Sequence, residues 1–281
     1  MFRIAGVVLP ALTVACLSGP PESADPLDSE AGVLEWSYRA SVFGVLVPIS
    51  SPIQAANGED TYVDPDCPFT SDDGTTLTVA ADCIDQTGAS WKGSARVVSG
   101  DGGDLHATYD GFGRLQSSDE LITGSVDVHL FDDTHASFEV DAVWKNAESS
   151  TEVVYTGDVR TESGQWANAS GSGSFMRSGG TAAGLVEAET RDELLDANIC
   201  PIGAVSGSTT LESPGHTVVI TYDGLTDCDL AALWTVDGDD RGILDGVGCS
   251  ASGGNAGGLA GIALLLAIAL VTRRRPTSRR G

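Results

Sequence analysis

Apolar and polar residues alternate most strictly in the middle of the chain. Ile122, Gly124, Val126, Val128 and Leu130 are interleaved with Thr123, Ser125, Asp127 and His129, and Ala136, Phe138, Val140, Ala142 and Trp144 with Ser137, Glu139, Asp141 and Lys145. A period of two sends the first set to one face of a strand and the second to the other, so both segments read as half-buried β-strands. Val153, Tyr155, Gly157 and Val159 continue the pattern beyond a loop at Asn146 to Thr151. Setting apolar against apolar predicts a register of antiparallel pairs: Leu130 with Ala136, Val128 with Phe138, then Trp144 with Val153 and Phe138 with Val159. Lys145 then faces Glu152, and Val143 faces Val154.

On the polar face the same register places Asp127 opposite Glu139 and Glu139 opposite Asp158. Like charges directly opposite one another are destabilising, so this row is either screened by salt or holds a cation. Asp127, Glu139 and Asp158 are therefore candidate ligands for Ca²⁺, and no other cofactor is expected.

Weaker signals predict further strands at Leu34 to Ala40, Ser41 to Val47, Thr76 to Ala81, Ser90 to Val98, Leu105 to Asp110, Trp166 to Met176, Ala204 to Leu211, Thr217 to Tyr222 and Ala231 to Val236. Arg191 to Ala197 is the one expected helix outside the termini, about two turns long. An all-β antiparallel meander of about a dozen strands follows. With no helices to cover its apolar face, it must roll into a barrel or fold into a sandwich. Composition agrees: 35 glycines and 6% aromatic residues suit many short strands joined by Gly and Asp turns.

Charge narrows the partners. The chain carries 15 basic and 40 acidic residues, a net charge of −25, and all the acids lie between Glu22 and Asp245. Six of the 15 basic residues are terminal arginines: Arg3, Arg273, Arg274, Arg275, Arg279 and Arg280. The body therefore keeps 9 basic against 40 acidic side chains, or −31. Such a surface repels phosphate backbones, which argues against nucleic acid as a partner.

The two ends read as addresses. Met1 to Ala15 has one arginine, an uncharged stretch from Ile4 to Val14 and a small residue before Cys16, the layout of a short export signal. Thr13-Val14-Ala15-Cys16 also resembles a bacterial lipobox, in which the cysteine becomes the lipidated first residue. Residues 17–32, with Pro20, Pro21, Pro26 and four acids, read as a solvated tether. At the other end, Ala251 to Thr272 is an uncharged span of 22 residues. At roughly 1.5 Å per residue it can cross a bilayer core of about 30 Å. The following Arg273-Arg274-Arg275 and Arg279-Arg280 fix the tail in the cytoplasm. The expected layout is an export signal at 1–16, a tether at 17–32, a single β domain at 33–248 and an anchor at 249–281.

Gly248-Cys249, the short Gly/Ala/Leu helix and the arginine cluster together resemble the MYXO-CTERM sorting signal of myxobacterial exported proteins, over about 34 of the 281 residues. The resemblance implies a membrane-embedded sorting protease as partner and surface display with Cys249 at the new end. Family members often carry a doubled cysteine, whereas Val247-Gly248-Cys249 has one. An uncleaved tail anchor is the other reading of the same segment.

Four cysteines remain in the body, and an even number in an exported domain points to two disulfides. Cys67 and Cys83 are centred on Thr75, beside Asp72-Asp73-Gly74; Cys200 and Cys228 are centred on Pro214, within Ser213-Pro214-Gly215. Each pair brackets a hairpin turn, which predicts Cys67–Cys83 and Cys200–Cys228. Zinc is disfavoured because no Cys-x-x-Cys occurs.

Catalytic motifs are missing: Gly-x-Ser-x-Gly, His-Glu-x-x-His and a Walker loop do not occur. Asp237-Gly238-Asp239-Asp240 begins like a calcium loop, but Arg241 occupies a ligand position and Gly248 stands where a bidentate Glu belongs. His129 and His135, flanking Asp132 and Asp133, could together hold a divalent metal. The sequence thus favours an acidic, exported, membrane-anchored surface protein with a structural or binding role. A secreted hydrolase using scattered carboxylates and an envelope lipoprotein holding an apolar ligand are the alternatives.

Overall fold

The computed structural model describes residues 25–46, 49, 67–85, 88–115, 120–132, 134–162, 166–196, 199, 204–223 and 231–247. Among the described residues, helix α1 (Glu30–Arg39) precedes fourteen strands. They are β1 (Phe69–Asp72), β2 (Thr76–Ala80), β3 (Cys83–Ile84), β4 (Ser90–Ser99), β5 (Leu105–Leu115), β6 (Leu121–Leu130) and β7 (His135–Lys145). There follow β8 (Ser149–Glu162), β9 (Trp166–Gly179), β10 (Gly184–Asp196), β11 (Ser206–Glu212), β12 (Thr217–Asp223), β13 (Ala231–Val236) and β14 (Asp239–Asp245).

The strands form one antiparallel sheet in which sequence neighbours are spatial neighbours, with β3 a short branch on β4. β1 and β14 are the two ends of this path and do not pair with each other, so the sheet is not closed. The expected barrel or sandwich is corrected to a single open sheet, because residues 25–46 and Ile49 do the covering. Val33, Trp36, Ala40, Val42, Phe43, Val45, Leu46 and Ile49 are all buried in one core with residues of the sheet's inner face, from Val79 on β2 to Leu244 on β14.

The helix overturns the strands expected at Leu34 to Ala40 and Ser41 to Val47. Leu34, Trp36, Tyr38 and Ala40 imitate a period of two, but Val33, Trp36, Ser37 and Ala40 recur at helical spacing and are the ones buried. Ser29 caps the start, its hydroxyl accepting from Gly32 N at 3.1 Å, with Glu30 in the first turn. A second helical turn follows at 42–46. Part of the expected tether is also packed, since Leu27 is buried.

Long-range bonds hold this segment across the sheet. Trp36 Nε1 donates to Ala182 O at 3.1 Å, Tyr109 Oη to Ile49 O at 3.0 Å, and Arg39 pairs with Glu120 at 2.8 Å. The Arg177 guanidinium pairs with Glu35. Trp36 also meets Phe175 edge-on, with ring centroids 5.8 Å apart.

The central register is half as expected. β6 and β7 pair Leu130 with Ala136 and Val128 with Phe138, in agreement. β7 and β8 are displaced by two residues: Ala142 faces Val153, Ala136 faces Val159, Val143 faces Glu152, and Lys145 faces Ser150. Two causes are visible. The turn is shorter than expected, because Asn146 Oδ1 accepts from Glu148 N, Ser149 N and Ser149 Oγ, and Asn146 N bonds Ser149 O. Phe138 also faces Gly157, where an added Cβ would come within 2.4 Å of its ring. The ring needs a residue without a side chain opposite it. A shift of two preserves which residues face inward, so the apolar pattern alone does not detect it.

The helix expected at Arg191 to Ala197 is corrected as well: residues to Asp196 are the end of β10. A bulge interrupts that strand between Thr190 and Leu194, with Asp192 in the left-handed region at φ 51°. The unmatched residues reverse the alternation, so Glu193 rather than Asp192 points inward. Gly207 on β11 makes room, since a Cβ there would lie 2.5 Å from Asp192 O.

Candidate functional site: imidazole–carboxylate pairs on the outer face

β5, β6 and β7 carry three of the chain's four histidines, His106, His129 and His135. The β5–β6 register sets His106 opposite Asp127, and His106 Nδ1 lies 2.7 Å from Asp127 Oδ1. His129 Nδ1 lies 2.6 Å from Asp104 Oδ1, and His135 Nε2 lies 2.6 Å from Asp158 Oδ2. Phe131, half exposed, stacks on His135 at 4.5 Å and meets His129 edge-on at 4.8 Å. The fourth histidine, His216, bridges Asp237 at 2.8 Å and Asp28 at 2.9 Å, and those two bonds raise its pKa above the ordinary 6.5. All four histidines thus rest against aspartates.

A shallow groove of about 320 Å³ runs over this patch, with Asp104, His106, Asp127, His129, Ser137 and Glu139 among its lining. An imidazole held by a carboxylate at one nitrogen has its ring orientation fixed and its other nitrogen free for a proton or a ligand. Ser137 stands directly opposite His129 on β7, so carboxylate, imidazole and hydroxyl follow one another in the order used for nucleophilic catalysis. No hydrogen bond joins Ser137 to His129, and the groups lie half exposed rather than in a dry cleft.

Of the expected three-carboxylate row, Asp127 and Glu139 do face each other. Asp158 is corrected out of it by the register shift: it faces Ser137, while Glu139 faces Thr156. Asp158 is instead held by His135, with Arg160 Nε at 3.8 Å. Among the described residues no three His, Cys, Asp or Glu side chains converge as metal ligands would; Asp133, at the tip between His129 and His135, lies outside the described residues.

Cys67 and Cys83 form the expected disulfide, with Cα atoms 5.9 Å apart. It closes the base of the β1–β2 hairpin, whose turn is built by Asp72 and Asp73 carboxylates accepting from Gly74, Thr75 and Thr76 amides. The turn expected at Ser213-Pro214-Gly215 joins β11 to β12, Ser213 N donating to His216 O at 2.9 Å. Cys200 and Cys228 lie outside the described residues, as do Cys16, Gly248, Cys249 and the uncharged span at 251–272. Among the described residues no helix is long and apolar enough to cross a membrane.

No family model matches the chain, and no curated protein or solved structure is similar to it.

Two buried carboxylates escaped the sequence analysis. Asp85 accepts from Ala89 N at 3.1 Å, Trp91 Nε1 at 3.1 Å and Arg114 Nε at 3.0 Å, and Arg114 also packs over the Trp91 ring. Glu193, 3% exposed, accepts from Val42 N at 3.0 Å, with Phe43 N and the Ser41 hydroxyl on the same carboxyl. Burial pushes the Glu193 carboxyl up to about 8, against the lowering pull of those donors. Burial likewise raises Tyr155 and Tyr222 beside it. Thr209 Oγ1 lies 3.2 Å from Thr190 Oγ1 and 3.4 Å from Tyr222 Oη, while the buried Tyr155 hydroxyl lacks a well-formed hydrogen bond. The helical spacing of Val33, Trp36 and Ala40 was a readable signal for the segment above this cluster; nothing in Arg191-Asp192-Glu193 marks which acid turns inward.

Proposed function

We propose that this is an exported, membrane-anchored surface protein that binds through its outer face and has a structural or adhesive role rather than a catalytic one. One observation carries the reading: Val33, Trp36, Val42, Phe43 and Leu46 of the chain's own N-terminal segment pack into one core with the inward residues of the sheet, so among the described residues the apolar face a carrier would offer its ligand is covered by the chain itself. The exposed chemistry lies instead on the open outer groove of Asp104, His106, Asp127, His129 and Glu139. Display rests on the two ends of the sequence. Cys249 precedes an uncharged span of membrane length and an arginine cluster, and Cys16 follows an export-like segment. A sorting protease cutting beside Cys249 would leave a terminal thiol at the membrane edge, where a lipid can replace the lost helix. The acidic body argues against nucleic acid as the partner.

Protease shaving of intact cells tests the reading, comparing the full chain with a chain ending at Val247. The full chain is expected in the cell fraction and cleaved by added protease, and the shortened chain is expected free in the medium. A full chain that is protected from protease, or that leaves the cell as readily as the shortened one, overturns it.

A further inference from the structure

Residues 25–46 are held on the sheet by polar contacts near both ends, and both contacts contain a group whose protonation the seated position changes. At the rim, Asp25 accepts from Ser213 Oγ at 2.6 Å and Gly215 N at 2.9 Å, and His216 joins Asp28 of this segment to Asp237 at the β13–β14 turn. At the deep end, the bulge in β10 directs Glu193 under the helical turn at 42–46. The groups facing Glu193 are Ser41, Val42 and Phe43 of the inserted segment, Thr190 of its own strand, Tyr155 of β8, and Tyr222 of β12 with its neighbour Thr209 of β11. None of these is a cation. The groups facing His216 are Asp25, Asp28 and Asp237, with Arg241 close to Asp237.

We propose that residues 25–46 form a pH-sensitive plug, seated on the inner face of the sheet in mildly acid medium and released from it as the pH rises through neutrality, while the meander itself stays folded.

The direction follows from proton linkage. Seated, Glu193 keeps its proton up to about pH 8; released into water, it loses that proton near its ordinary value of 4.5. Release therefore frees a proton, and the ratio of released to seated plug climbs about tenfold per pH unit between 4.5 and 8, then levels off. His216 acts in the same sense. Its pKa is raised when Asp28 and Asp237 flank it, so its support for the seated form is complete below 6.5 and fades as the pH passes through the raised value. The two groups sit near opposite ends of the plug, so the contacts at both ends loosen together, leaving the Arg177–Glu35 and Arg39–Glu120 pairs between them as the holds that oppose release. The sheet keeps its hydrogen bonds because the plug supplies none of its strands.

Hydrogen exchange of the full chain in detergent at pH 5.5 and pH 8.0, corrected for the intrinsic chemical rate, tests this. Amides of residues 33–46 are expected to lose about 100-fold in protection at the higher pH while those of β6 to β8 keep theirs. In Glu193→Gln, which keeps the acceptor for Val42 N, the loss is expected to shrink at least tenfold. Should that variant fail to fold, His216→Asn at the exposed rim is expected to remove the part of the loss that develops above pH 6.5. Equal protection of 33–46 at both pH values overturns the proposal, as does an undiminished loss in whichever variant folds. A loss shared equally by β6 to β8 overturns it too, because that is unfolding of the whole domain.

Discussion

Asp85 and Glu193 are both buried acids in the same core, and they meet opposite conditions. Asp85 has a guanidinium, an indole N–H and a backbone amide around it, so its charge is neutralised where it stands. Glu193 has two backbone amides and a hydroxyl but no cation, so burial keeps its proton on. The first acid fastens the two ends of a loop to β5, within the sheet. The second fastens a separate segment to the sheet. The contrast teaches that burial alone does not define a polar group's role: the partner decides whether the group is a permanent tie or one that responds to the medium.

Substitutions can sharpen or break that contrast. Asp85→Ala removes the buried carboxylate that Arg114, Trp91 Nε1 and Ala89 N share and is expected to cost about 3–5 kcal/mol in denaturant unfolding. Glu193→Leu removes a buried polar group along with its bond to Val42 N, so the loss of the cap and the gain in apolar burial oppose each other. It is expected to cost only about 1–2 kcal/mol at pH 7. A cost equal to that of Asp85→Ala would erase the distinction between the two acids. The smallest effect belongs to Tyr155→Phe, which removes a buried hydroxyl that has no well-formed bond. Its unfolding free energy is expected to stay within about 0.5 kcal/mol of the parent chain or to rise slightly.

How far the sequence reached can be judged from particular residues. The strict alternation from Ile122 to Trp144 yielded β6, β7 and their register, because every second residue there is committed to the core. Across the next hairpin the same reasoning missed by two, since a two-residue shift leaves inward residues inward and only Asn146 and Gly157 distinguish the registers. That slip also misplaced Asp158, and so the acidic row. Leu34, Trp36, Tyr38 and Ala40 suggested a strand, although Ser29, Glu30 and the spacing of Val33, Trp36 and Ala40 already carried a helix signature. The pairing of His106 with Asp127 depends on the β5–β6 register, which weaker alternation in β5 did not supply. Glu193 was illegible for a deeper reason: a bulge is a property of two strands at once, and neither strand announces it alone.

The connectivity of the plug also sets an order in time. Every strand pairs with a near neighbour in sequence, so the meander can zip up from short loops as the chain emerges. The plug is made first, yet Trp36 meets Ala182, Val42 meets Glu193 and Asp25 meets Ser213, at sequence separations of 146, 151 and 188 residues. Its seat does not exist until β10 to β12 have been synthesised. The earliest segment of the body is thus the last to be placed, and for most of its time on the ribosome Trp36 and Phe43 have no core to enter.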